Sequence, residues 1–133
     1  MTRHRVVQPR GWAAPRGYNN GIRAKGALLF IAGQVGWDPT QDRPRFEKSF
    51  AAQFDQALSN VVAVLRAGGG RPEHLARVTL YVSNKREYQA ALKAVGASWR
   101  RWVGKVYPAM TLVEVKSLLE PGAKVEIEAT AVL

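Results

Sequence analysis

The run Val125-Glu126-Ile127-Glu128-Ala129 sets two carboxylates two residues apart. On an extended chain they share one face, about 7 Å from each other. Carboxylates so placed can position a water or move a proton, and in this chain they have little competition. There is no cysteine, which excludes disulfides, thiolate metal sites, iron–sulfur clusters and a cysteine nucleophile. The two histidines, His4 and His74, are far apart in sequence and form no ligand-spaced pair, so no metal site and no cofactor is expected. The same alternation of acidic and apolar residues is what a strand with one face in water shows. Spacing alone therefore leaves the roles of Glu126 and Glu128 open.

Other motifs point away from common chemistries. The triple glycine at residues 68–70 follows an apolar helical stripe instead of opening a helix, and no Lys-Ser/Thr comes after it. It reads as a helix cap and turn, not a phosphate cradle. Neither GxGxxG nor GxSxG occurs, so dinucleotide binding and α/β-hydrolase chemistry lose their sequence support. In Trp99-Arg100-Arg101-Trp102 basic and aromatic residues interleave as they do on some nucleic-acid surfaces. At helical spacing the two tryptophans share a face, which favours core tryptophans with two solvated arginines.

The elements that must position these residues follow from periodicity. Tyr18 to Ile22 reads as a short strand, and Ala27 to Ala32, apolar on both faces, as a longer one. Residues 33–44 are dense in turn formers and read as a loop. Phe50, Phe54, Ala57, Leu58, Val61, Val62 and Leu65 form a helical stripe that ends at Gly68. Leu75 to Val82 is a strand, and Asn84 caps a second helix running towards Trp102, with Glu87 completing a capping box. Met110 to Val115 and Lys124 to Val132 are two further strands, joined by Leu119-Glu120-Pro121-Gly122, whose Pro-Gly is a type II turn signal. The order is ββαβαββ, an α+β fold. Two helices cannot cover both faces of a sheet, so a second copy of the chain is expected to cover the other.

The chain has 133 residues, 47 % of them hydrophobic and 23 % charged, which suits one domain spanning 1–133. The net charge is +10. Residues 1–37 hold six bases and no acid, while the remaining 96 carry 14 bases and 10 acids, so much of the surplus is an N-terminal feature. Residues 1–14 read as a basic arm. No apolar run has the length of a secretory signal or a membrane span, and the expectation is a soluble, cytoplasmic protein with no membrane partner.

Together with the element order, four segments resemble the Rid/YjgF family of small homotrimers, also described as enamine/imine deaminases or L-PSP endoribonuclease-like proteins. They are Gly17-Tyr18, Ala32-Gly33-Gln34, the helix from Gln53 to Gly68 with Leu58, Asn60 and Leu65, and Tyr107-Pro108-Ala109 leading to Val125–Ala129. The resemblance covers nearly the whole chain. It implies a chorismate-mutase-like homotrimer with a central barrel, the two helices on one face of a mixed sheet, and small-molecule clefts between neighbouring subunits. It also implies that Tyr18, Ala32, Gly33 and Gln34 line the cleft and that Glu126 positions the hydrolytic water.

Departures from the family pattern shape the functional expectation. Met110 stands where deaminating members carry an arginine that clamps the substrate carboxylate, Ala32 stands where they carry serine, and their ligand-contacting asparagine falls near Leu92 or Lys93. A thioether offers no cation, so ordinary 2-imino acids should bind poorly unless another base, such as Lys93 or Arg23, takes over. Three readings follow, in order of preference: an imine or enamine hydrolase with an altered substrate range, a non-catalytic ligand-binding trimer, and RNA binding or cleavage. The last is ranked lowest because the chain has no histidine pair for acid/base cleavage of RNA.

Overall fold

The computed structural model describes residues 4–42 and 45–133, so residues 1–3 of the basic arm and 43–44 of the turn-rich loop lie outside it. Strands β1 (Arg5–Val7) and β2 (Gly21–Arg23) form a small antiparallel ribbon. Strands β3 (Leu28–Val35), β4 (Leu75–Val82), β5 (Ala109–Glu114) and β6 (Val125–Val132) form the main sheet in the order β3-β6-β4-β5. β6 runs antiparallel to both neighbours, whereas β4 and β5 are parallel. A parallel pair needs a crossover, and helices α2 (Lys85–Ala90) and α3 (Leu92–Trp102) supply it. With α1 (Phe50–Ala67) the molecule is the expected α+β fold.

Alternation in the strands decides what faces the helices. Val78, Leu80 and Val82 of β4 and Val125, Ile127, Ala129 and Ala131 of β6 are buried against Phe54, Leu58, Val61 and Leu65 of α1. The helices cover one face only. The expectation that strands are apolar on both faces holds for β3, whose Leu28 and Phe30 remain 60 % and 73 % exposed. On β4 and β6 the open face is polar, carrying Arg77, Thr79, Tyr81, Glu126, Glu128 and Thr130.

Two buried amides of α1 tie the layers together. Gln53 Nε2 donates to Glu47 O and Gly122 O, and its Oε1 accepts from Lys124 N at 2.8 Å. Asn60 Nδ2 donates to Val35 O and Trp37 O, and its Oδ1 accepts from Gln56. Such buried groups persist because every polar atom has a partner. Gly36 is required here for space, since a Cβ would stand 2.6 Å from Gln53 Cα.

Several boundaries depart from the sequence expectation. The first expected strand is shifted to Gly21–Arg23 because it pairs with β1, a strand inside the segment read as an arm. β3 runs on to Val35 through a bulge between Ile31 and Gln34, where a loop was expected from Gly33. The second helix is broken at Ala91, whose N–H turns to Tyr88 O, and no proline or glycine marks the break. Asn84 Oδ1 does cap α2 through Arg86 N, but Glu87 leaves the capping box to pair with Lys124 Nζ at 2.8 Å. The Pro121-Gly122 turn forms as read, with Gly122 at φ 88° and Ala123 N donating to Glu120 O.

Candidate functional site

The chemistry-bearing residues are held in two concave regions on opposite faces of the main sheet. On the helix side, Leu80 and the paired β5 residues Met110 and Leu112 form the floor of a cleft of about 480 Å³. Tyr88, Leu92 and Trp99 of the crossover helices wall it. Tyr18 closes it from the chain before β2, because Asn19 N donates to Pro108 O at 3.0 Å and Asn19 Nδ2 to Tyr107 O. Trp99 is fixed by its Nε1–H donating to Val106 O at 3.0 Å. Burial pushes the Tyr88 phenol above its ordinary pKa, and the ring packs edge-on against Phe50.

On the open side, Gly33, Tyr81, Glu126 and Glu128 surround a smaller pocket of about 260 Å³ with residues 117–119. The two carboxylates share this face, as their spacing requires, but their partners differ. Tyr81 O–H donates to Glu128 Oε1 at 2.7 Å, and this bond holds the Tyr81 phenol above its ordinary pKa. The Glu126 carboxylate makes no hydrogen bond or ion pair among the described residues. It lies against the β3 bulge, where a Cβ on Gly33 would stand 2.9 Å from Glu126 Cγ and Cδ. Glycine at this position lets the carboxylate lie flat on the backbone.

The expected site residues are thus divided. Tyr18, Leu92 and Met110 meet in the aromatic cleft, and Gly33 and Glu126 meet in the carboxylate pocket. Ala32 lies in a separate hollow beside Phe30, Thr79 and Glu128, while Gln34 Nε2 turns back to Ala32 O. Lys93 and Arg23 are exposed and line neither region. Arg16 and Arg100 do line the aromatic cleft, and sequence reading missed both. Both arginines of the Trp-Arg-Arg-Trp motif are exposed, as read; Arg101 turns to Asp55 Oδ1 at 2.9 Å, an oxygen that Trp102 Nε1 also reaches.

The histidines are also closer than their separation in sequence suggests. His4 Nε2 donates to His74 O at 2.8 Å, and His74 Nδ1 accepts from Arg71 N. Both contacts are to backbone: the first joins the start of β1 to the turn before β4, and the second closes that turn on itself. No cluster of three or more metal-ligating side chains occurs among the described residues, and no helix there is long and apolar enough to cross a membrane.

Comparison with known proteins bears on the family and the fold. A RutC family protein of Synechocystis is 32 % identical over 130 residues, covering 97 % of this chain and 96 % of the relative. A 2-iminobutanoate/2-iminopropanoate deaminase of Salmonella typhimurium is 29 % identical over 107 residues, covering 80 % of each chain. Among solved structures, YyfB of Yersinia pestis, described as a protein of unknown function of the conserved Rid family, superposes with a TM-score of 0.84. It is 31 % identical, covering 98 % of this chain and 99 % of the other. The family described as Endoribonuclease L-PSP matches residues 10–133, and with the β3-β6-β4-β5 sheet and its helical layer this shows that the chain belongs to that family, the Rid/YjgF proteins.

Proposed function

We propose that the protein is a homotrimeric imine or enamine hydrolase of the deaminase type, whose ligand clefts form between subunits. The observation that carries this reading is the division of the site. Tyr18 and Met110 lie on the helix side of the sheet and Glu126 on the open side, so one chain cannot present all three to one small ligand. A neighbouring copy can, by laying its open face with Glu126 against the aromatic cleft of the first. The exposed Leu28 and Phe30 supply the apolar surface for that contact. Three copies and the reaction class are what the family likeness suggests, including relatives named as 2-iminobutanoate/2-iminopropanoate deaminases.

The chemistry asked of the site is modest. Water adds to the carbon of the C=N bond, the nitrogen takes up a proton, and the C–N bond then breaks to release ammonia and leave a carbonyl. Glu126, unpaired beside Gly33, accepts a hydrogen bond from the attacking water and carries its proton towards nitrogen. The substrate is one that a Met110 thioether can accommodate, held through groups other than the usual arginine.

Purified protein given a panel of imines, with and without α-carboxylates, should release ammonia faster than buffer. Light scattering should give a trimer that Phe30→Glu disperses. On an isolated chain that change at an exposed site would shift stability by no more than about 0.5 kcal/mol. A monomeric wild type would overturn the divided-site reading. Saturable ligand binding without ammonia release would select the non-catalytic trimer, which the absence of a cation at Met110 favours as the second reading.

A further inference from the structure

The aromatic cleft has two cations at its edge. Arg16, just before the Gly17 turn, and Arg100, on α3, both line it, and no acidic residue does. Neither guanidinium makes a hydrogen bond or ion pair with any described residue, unlike that of Arg101 one position on. Arg100 lies back over the preceding helical turn, where a Cβ on Gly96 would stand 3.5 Å from its Nη1.

We propose that Arg100, assisted by Arg16, is the anion anchor of the aromatic cleft, and that the ligand is a carboxylate with a flat or branched apolar body. The inference rests on the aromatic cleft being the ligand half-site of the hydrolase reading. A guanidinium offers a planar fork of donors matched to a carboxylate, so two unpaired guanidiniums at an acid-free mouth select an anion. The body of the ligand is set by the rest of the cleft. Its volume of about 480 Å³ is far more than a three-carbon imino acid fills, and its inner walls are Tyr88, Trp99, Leu80, Leu112 and Met110. Aromatic faces and a thioether favour an aryl or branched-alkyl group stacked between them. Met110 then belongs to the apolar floor, and the charge has moved from the strand to the helix.

The test is calorimetric titration of the full-length protein with 4-phenylbutanoate, its primary amide 4-phenylbutanamide, and acetate. The aryl carboxylate should bind at least about tenfold more tightly than either its amide or acetate. Arg100→Gln should bring the carboxylate down to the level of the amide while leaving the amide unchanged, Arg16→Gln should act in the same direction with a smaller effect, and Arg100→Lys should keep part of the preference. Circular dichroism of each variant checks that the helix is intact. If Arg100→Gln fails to fold, the acid-to-amide ratio in wild type and Arg100→Lys carries the decision. Equal binding of acid and amide, no binding of either, or a ratio that survives Arg100→Gln would overturn the proposal. Ammonia release from the imine panel is read separately. Its absence beside an intact acid preference would remove the hydrolase and keep the anchor, and its presence without the preference would do the reverse.

Discussion

The aromatic cleft and the carboxylate pocket lie on the two faces of one sheet and are held in shape by different forces. The cleft is walled by side chains that belong to the core or lean on it: Phe54, Leu80 and Trp99 are 1 %, 3 % and 7 % exposed. Its shape is a by-product of burial, so changing its walls changes stability as well as binding. The pocket instead stands on the open face, shaped by a bulge in β3, a glycine and one phenol–carboxylate hydrogen bond. Its groups face water, and altering them should change chemistry with little effect on folding. Apolar recognition sits where the core supplies it, and the free carboxylate sits where it keeps its hydration.

The sharpest test of that division is Glu126→Gln, which keeps the shape and removes the base. On whichever imine proves active, turnover should fall about 10²-fold, at the low end of the roughly 10²–10⁴-fold span of such groups, with the assembly and thermal midpoint unchanged. A stability loss in place of a rate loss would break the comparison. Met110→Arg probes the other face. Wild type should process 2-iminopropanoate poorly, and a cation on the cleft floor could add about 1.5–3 kcal/mol, roughly 10- to 150-fold in apparent affinity, at some cost in stability. Efficient wild-type activity on that substrate would mean the existing arginines already hold a small carboxylate.

Gly33→Ala sits between these extremes. The new methyl crowds the Glu126 side chain and must displace it, so the expected result is about a three- to tenfold loss of turnover from mispositioning alone. Unaltered kinetics would show that the carboxylate has freedom to move without consequence. The smallest effects belong to the Glu128–Tyr81 pair. Glu128→Gln should change turnover by less than about twofold, since its oxygen is already engaged by Tyr81. The Tyr81 phenol is raised above 10.0 chiefly by that hydrogen bond, so the bond's contribution is complete below this pH and is lost as the pH climbs through the raised value. Following phenolate absorbance against pH, Tyr81→Phe should remove a late-titrating tyrosine, whereas no change in the late phase would argue that the bond is not formed in solution.

Much of the fold was legible because the signals are local. The stripe from Phe50 to Leu65 gives α1 its face, Val78, Leu80 and Val82 give β4 its face, and Pro121-Gly122 gives a turn. The Ala91 break was not legible, since nothing in the run from Leu92 back to Tyr88 interrupts helix propensity. Nor was β1 legible, because Arg5-Val6-Val7 is a strand only by pairing with Gly21–Arg23 and by the anchoring of His4 on His74 O.

By itself the sequence determined the α+β class, the helix-facing residues and the likeness to the Rid/YjgF proteins. Each of these is written in spacing along the chain, and spacing reports which face a residue takes. It does not report what that face meets. Glu126 and Glu128 are equivalent by periodicity, and only the arrival of Tyr81, 47 residues away in the chain, engages one and leaves the other free. Arg100 and Arg101 are adjacent members of one basic motif, and only Asp55 on α1 draws Arg101 aside while Arg100 stays at the cleft. Tyr18 and Met110 share a cleft because Asn19 bonds the chain before β2 to the start of β5. Side-chain partners are chosen by contacts between distant segments, whose geometry exists only once the sheet and its helices have packed.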